Sequence, residues 1–402
     1  MSSILEKILT QKHAENIRGF DPTSMLHRLL EKLTDREREV VRSRFGLVGS
    51  ADIQTLEEIG GRLKVTRERV RQITKSSIHR LKDLGSKDEE VARFTRVVEH
   101  FLQSYGGALE EEYFIEQLLD FAHILPADAR WQSASRTLRF LLDYVLSDVV
   151  ERQEADEVLR ARYALHGAAQ PLLRQTAQAL LGIINGEQKP LESGQFVRRF
   201  VATSFNQEHY QAIIAEPVHI ARDFYGNDPT DAQPTTEEES RVVLAYATIT
   251  TAIAKNIFAE WGRVDWATIR PRRMNDKIYL VLYRAHEPLH FTDIAARIND
   301  AHFDKKIARP PSVHNELILD KRFVLVGRGL YALKEWGYQP GTVADVVAEL
   351  LRGSEGQRRE EIVSQLLKKR FVKKQTIHLA LMNKERFEKL DDGRYRLAQK
   401  IT

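Results

Sequence analysis

The chain has 402 residues, enough for two to four domains with sizeable cores, and no cysteine, which excludes disulfides, Cys-based zinc sites and cysteine nucleophiles. With 42% hydrophobic and 29% charged residues, no apolar run of transmembrane length and no apolar core at the start, it reads as a soluble cytoplasmic protein with no membrane partner. The net charge of +4 is unevenly spread: +7 over 60–82 (eight basic, one acidic), +7 over 357–400 (thirteen, six), −1 over 1–59 (nine, ten), and therefore −9 over 83–356. Two basic ends around an acidic middle predict two nucleic-acid contacts on one scaffold.

In chain order, 4–19 is predicted helical, and Asp21-Pro22-Thr23 breaks the chain and starts a second helix. Thr34 with Glu37 forms a capping box, 49–52 reads as a loop, and Thr55 with Glu58 forms another capping box. Lys64-Val65-Thr66 supplies a tight turn in which Thr66 caps a basic helix that ends at Gly85-Ser86-Lys87-Asp88. Helix, turn and basic helix is the order a helix-turn-helix needs to enter the DNA major groove. Gly60 and Gly61 in the first of these helices each cost about 1 kcal/mol relative to Ala. Gly60 reads as room for close packing, whereas the sequence offers no reason for Gly61.

The basic helix sorts its residues by face. At helical spacing, Val70, Ile73, Ser77, Leu81 and Leu84 form one stripe, predicted buried. Arg67, Glu68, Arg71, Gln72 and Lys75 fall on the opposite arc. Arg grips guanine O6 and N7, Gln does the same to adenine N6 and N7, and Glu accepts from cytosine N4, so this arc suits base reading. Lys64, Thr66, Lys75 and Lys82 are the expected backbone contacts, and Arg69 and Arg80 lie on a flank suited to phosphate or to solvent.

Leu33-Thr-Asp-Arg-Glu-Arg-Glu-Val-Val-Arg-Ser-Arg-Phe-Gly-Leu47 and the 55–82 stretch resemble region 4 of sigma-70 type sigma factors, with VTRERVRQI at 65–73 the most specific part. The resemblance covers about 26–84. It implies −35-type base contacts for Arg67, Glu68, Arg71 and Gln72, and docking on the β flap of the RNA polymerase core. Nothing in the chain resembles region 2, which captures the melted −10 strand, so promoter melting by this chain alone is not expected. After Ile73 the family usually continues with an acidic, Ala-rich segment, and here the residues are Thr-Lys-Ser-Ser-Ile-His.

Further on, 274–337 and 342–398 share one pattern, three helices and then a hairpin. The hairpin turns are Gly327-Arg328-Gly329 and Asp391-Asp392-Gly393, flanked by alternating apolar residues. Three helices and a wing make a winged helix. Residues 93–166 fit as a degenerate copy whose acidic wing, 149–165, favours packing over DNA. Residues 171–265 read as helices over 172–185 and 194–204, a loop near 226–236 and one helix over 237–259. LHFTDIAARIND and RFVLVGRGLYALKEW resemble the HARE-HTH winged helix over about 272–337, which implies association with DNA or polymerase.

Other candidates are weaker. Lys368, Lys369, Arg370, Lys373 and Lys374 form a basic turn that either grips phosphate or is merely solvated, and with Arg328 they are the candidate second DNA contact. For Arg328 the plain role of a soluble turn residue is favoured. Trp261 and Trp266 suit base stacking, but their spacing favours packing. His286 and His290 have metal-ligand spacing, but Pro288 lies between them. Glu110–Glu112 and Glu237–Glu239 fit helix N-termini, where carboxylates oppose the dipole.

No phosphate loop or catalytic motif is present, so no enzyme, metal or cofactor is expected. The expected fold is mostly α, an N-terminal helix-turn-helix (1–85) followed by tandem winged helices. The segments are 90–167, 168–266 (helical), 270–338 and 341–400. The expected function is sequence-specific recognition of double-stranded promoter DNA in bacterial transcription initiation, in contact with RNA polymerase. The alternatives are a free-standing repressor or activator, or the targeting part of a DNA modification or defence system.

Overall fold

The computed structural model describes residues 20–47, 53–224, 233–338, 342–369 and 374–398. The helix expected over 4–19, the 49–52 loop, most of the 226–236 loop, Arg370 and Lys373 lie outside the described residues. The chain divides into two compact units, 1–254 with 259–264, and 255–258 with 265–402.

The first unit opens with α1 (Pro22–Glu31), where Asp21 accepts from the Thr23 amide and Pro22 sits in the first turn. Then come α2 (Asp35–Phe45), capped by Thr34 and Glu37 and closed by left-handed Gly46, α3 (Leu56–Leu63) and α4 (Arg67–Gly85). Each helix starts at a residue whose side chain satisfies first-turn amides.

Four segments follow; the first, third and fourth share one element order, and the second carries an added helix before its last two strands. The first is α5 (Glu89–Gln103), β1 (Ala108–Glu110), α6 (Glu111–Phe121), α7 (Trp131–Phe140) running into a π turn (Leu141–Val145), β2 (Val150–Gln153) and β3 (Arg162–Leu165). The second is α8 (Gln170–Glu187), β4 (Leu191–Glu192), α9 (Ser193–Val201), α10 (Ser204–Tyr210), a π turn (Gln211–Ala215), α11 (Glu216–Phe224), α12 (Thr236–Ile249), β5 (Ile253–Lys255) and β6 (Glu260–Arg263). The third is α13 (Met274–Ala285), β7 (Leu289–His290), α14 (Phe291–Asp300), α15 (Pro310–Leu319), β8 (Phe323–Leu325) and β9 (Leu330–Leu333). The fourth is α16 (Val343–Leu351), β10 (Gln357–Arg358), α17 (Arg359–Lys369), α18 (Lys374–Leu381), β11 (Phe387–Lys389) and β12 (Arg394–Leu397). In all four sheets the third strand lies between the first and second: β1-β3-β2, β4-β6-β5, β7-β9-β8 and β10-β12-β11.

The second segment departs from its expected all-helical character. The helix expected over 237–259 ends at Ile249, and 253–263 forms two strands. β-Branched Thr250 turns extended there (φ −77°, ψ 121°), and Arg160 donates to the carbonyls of Thr248, Thr251 and Ile253. Trp261 lies on β6, 2% exposed, and donates to Ser193 Oγ at 3.0 Å, so it packs and is not open to a base.

One apolar core joins α1, α2 and α4 to the first segment. Met25, Leu29, Leu30, Val41 and Leu81 are buried in the same cluster as Phe94, Phe101, Leu118, Leu138 and Leu141. Phe45 meets Phe140 at 5.0 Å and Tyr144 at 5.1 Å between ring centroids. Residues 20–85 and 89–165 are therefore not separate bodies. The third helix of this segment, α7 with its π turn, spends its apolar face inside the shared core. The corresponding helices of the second segment, α10 and α11, expose Glu208, Glu216 and Asp223. In the second unit each segment has its own core, around Ile278, Leu282, Ile294, Val313 and Leu333, and around Val347, Leu351, Ile362, Ile377 and Phe387. Among the described residues no helix is long and apolar enough to cross a membrane.

Candidate nucleic-acid interface

Helices α3 and α4 are set by local chemistry. Thr55 Oγ1 accepts from the Glu58 amide at 3.2 Å, and the Thr55 amide donates to Glu58 Oε2 at 2.7 Å. That bond from the Thr55 backbone, with a second from its hydroxyl, holds the Glu58 carboxyl below its ordinary pKa. Lys64 takes the left-handed conformation (φ 52°), and the Val65 amide donates to Gly60 O at 2.9 Å. Thr66 then accepts from the Arg69 amide at 3.2 Å and starts α4. The turn folds so closely that a Cβ on Gly60 would lie 2.7 Å from Val65 O. A Cβ on Gly61 would meet nothing within 4 Å.

On α4, Val70, Ile73, Ser77, Leu81 and Gly85 are buried. Val70 and Ile73 pack with Val40 and Ile59, while Leu81 belongs to the larger core. Leu84, expected buried, is half-buried, and Gly85 fills the tightest position, where a Cβ would lie 2.5 Å from Val145 Cγ1. A helix keyed on one side by these contacts presents the other at a fixed angle.

That other side carries Arg67, Glu68, Arg71, Gln72 and Lys75, all exposed. They form a network. Arg71 donates through Nε and Nη2 to both Glu68 oxygens at 2.8 and 2.7 Å, and Gln72 Nε2 donates to Glu68 Oε1 at 3.3 Å. The Arg71 fork lowers the pKa of Glu68, and Glu68 raises that of Arg71. Arg67 Nη1 lies 2.9 Å from Glu57 Oε1. Lys64 and Lys75 are exposed and have no ion pair among the described residues. An exposed ion pair contributes about 0–1 kcal/mol. A bidentate contact to the correct base is worth about 1–3 kcal/mol. The network therefore holds the forks aligned without blocking their exchange onto base edges.

Three cations counted toward the positive charge of 60–82 lie beside acidic side chains of neighbouring elements. Arg80 Nη1 lies 3.3 Å from Glu37, and Arg62 Nη2 lies 3.3 Å from Glu39 and donates to Ser43 Oγ at 2.7 Å. Lys82 Nζ lies 2.6 Å from Asp148 of the first segment, on the packed end of α4. Lys82, expected as a phosphate contact, is half-buried and its ion pair links α4 to the following segment. Sequence reading missed this because Asp148 lies 66 residues away.

The weaker candidates are placed as follows. Arg328 is exposed at the tip of the β8–β9 hairpin, and Lys374 is exposed at the start of α18. Lys368 and Lys369 end α17. His286 closes α13 in the left-handed conformation, while His290 caps α14, with Nδ1 2.6 Å from Thr292 Oγ1. Glu110 caps α6 by accepting from the Tyr113 amide at 2.7 Å, and Glu238 pairs with Thr235 in the capping box of α12. Sequence reading also missed Lys305 and Arg309, exposed before and at the start of α15.

Comparison with known proteins bears on the first of these sites. Residues 29–83 match the family Sigma-70, region 4. The RNA polymerase sigma factor RpoD of Helicobacter pylori is 46% identical over 68 residues, 17% of this chain and 10% of that protein. The RNA polymerase sigma factor SigA of Lactococcus lactis subsp. cremoris is 47% identical over 57 residues, 14% of this chain and 15% of that protein. The RNA polymerase sigma-B factor of a Nostoc species is 43% identical over 60 residues, 15% of this chain and 18% of that protein. The chain thus spans less than a fifth of the length of these relatives. The matched segment contains α2, α3, the turn and nearly all of α4, so residues 29–83 are a sigma-70 region 4 domain within a longer, different chain.

Proposed function

We propose that this protein recognises promoter DNA in transcription initiation, its region 4 domain reading a −35-type element. Arg67, Glu68, Arg71 and Gln72 read base edges, while Lys64, Thr66 and Lys75 hold phosphates. The observation that carries this reading is the exposed polar arc of α4, opposite a stripe locked into the core, within a segment 46% identical to a sigma factor. RNA polymerase is the second partner, through its β flap. The support for this is the family match together with the identity of the relatives as RNA polymerase sigma factors.

The four segments are read as winged helices, the third of them HARE-HTH-like. The strand order common to all four, and the element order common to the first, third and fourth, support that reading. On this account the protein binds and positions without catalysing a reaction, and promoter melting falls to a partner.

Two measurements test the proposal. Tagged full-length protein recovered from its own cells should bring polymerase subunits with it. On promoter fragments it should protect a −35-type element from nuclease, and Arg71→Ala should lose that protection. Absence of polymerase would remove that partner, and absence of protection on every promoter tested would remove the DNA reading.

A further inference from the structure

The third segment holds the unexpected charge. Residues 270–338 contain thirteen basic and eight acidic residues (+5), whereas 89–264 contain sixteen and twenty-six (−10). Much of the basic charge is already committed. Arg322 pairs with Asp320 and Asp276, Arg297 with Glu287, and nearly buried Lys277 with Asp304. Three uncommitted charges gather just ahead of α13. From Trp266 to Asn275 the chain has three arginines and no acid. Arg270, Arg272 and Arg273 are all exposed, and none has an ion pair among the described residues.

Both ends of this strip are anchored. Before it, Ile269 is buried, the Ile269 and Arg270 amides donate to Trp266 O at 3.0 and 2.9 Å, and Asn256 Nδ2 donates to Thr268 O at 3.1 Å. After it, Asn275 Nδ2 donates to Asp320 Oδ2 at 2.9 Å, and Ile278 enters the core of the segment. Pro271 keeps the strip extended, because its ring fixes its own φ and drives Arg270 away from the helical region. Arg273 is extended as well (φ −104°, ψ 159°) and starts α13 without a side-chain capping bond. Alternate residues of an extended chain share a face, so Arg270 and Arg272 fall on one side about 6–7 Å apart.

We propose that Arg270, Pro271, Arg272 and Arg273 form a minor-groove anchor for A·T-rich duplex DNA, independent of the region 4 reading. The minor groove is about 6 Å wide, which excludes a helix but admits an extended strip with only a compact ring between its two arginines. A narrow A·T groove concentrates negative potential, and Arg enters it at lower cost than Lys because a guanidinium is more weakly hydrated. The surroundings disfavour a protein partner. Ile269 is buried and Trp266 and Met274 are half-buried, so the strip has no exposed large apolar side chain to form the dry centre of a protein interface.

The test uses full-length protein carrying Arg71→Ala and two labelled duplexes of equal length, one with a central A-tract and one with G·C pairs in its place. Binding is followed across a salt series. The A-tract duplex should bind at least ~5-fold more tightly. Adding Arg270→Ala, Arg272→Ala and Arg273→Ala should remove that preference and reduce the slope of log K against log salt by about 3. Arg270→Lys, Arg272→Lys and Arg273→Lys together should keep the slope and lose most of the preference, which separates groove entry from charge alone and from a lost fold. Arg93→Ala with Arg96→Ala, also exposed, should leave both quantities unchanged. An unchanged preference and slope in the triple alanine variant overturn the proposal. Equal loss on both duplexes also overturns it, since the strip would then touch only phosphates, as does tighter binding of a single-stranded RNA of the same length.

Discussion

Arg71 and Lys82 lie on the same helix in different surroundings. Arg71 holds its fork against Glu68 on the open arc, where a guanine can replace the carboxylate. Arg71→Ala is expected to cost roughly 1–3 kcal/mol on the preferred duplex and to blur preference at one base pair, measured by competition between single-base variants of the site. Equal loss on every sequence would make Arg71 a phosphate contact. Lys82 is held by Asp148, so Lys82→Ala is expected to leave the salt slope of DNA binding unchanged, and a fall of about 1 would return it to the phosphate set. The arc was legible in the sequence because helical spacing separates Arg67, Glu68, Arg71 and Gln72 from Val70 and Ile73. The fate of Arg62, Arg80 and Lys82 was not, because their acidic partners come from other elements.

Among the elements, the α3–α4 turn gives the sharpest contrast. Gly60→Ala sets a Cβ against Val65 O at 2.7 Å, so the turn must open, and a loss of about 1–3 kcal/mol is expected. Gly61→Ala meets nothing and should gain up to about 1 kcal/mol from helix propensity, both read from chemical denaturation. Similar losses at both positions would contradict this geometry. Capping is a second handle at this scale. Arg222, then the Thr235 backbone and hydroxyl, hold Glu238 at about 2, against 4.5 for the free group, although burial opposes them. The unfolded chain therefore takes up the proton first as pH falls. This contribution is complete above about 5 and fades toward 2. Glu238→Gln should flatten the fall in unfolding midpoint across that window, and an unchanged profile would remove Glu238 from acid sensitivity. Capping boxes at Thr34 and Thr55 could be read directly from residues three apart. The strands of the second segment could not, since β4 has two residues and β5 three, too few to show alternation.

For the molecule as a whole, the region 4 domain is built into its neighbour. The core of α1, α2 and the end of α4 continues into α5, α6 and α7. A fragment ending at residue 88 would expose that apolar surface, so it should melt without cooperativity, while one extended through 166 should melt as a unit. A cooperative transition in the shorter fragment would show that the shared core is dispensable. The sequence pointed to two basic ends, but the charge sum over 83–356 hid the basic third segment beneath the acidic first two. Fixing α4 within a rigid body and carrying further cations elsewhere in the chain lets weak modules add through effective concentration. The direct test is selection of duplexes from a randomised pool by full-length protein at low salt, followed by sequencing. The account predicts one enriched motif whose information collapses at a single base pair in Arg71→Ala; recovery of duplexes with no enriched motif would contradict it.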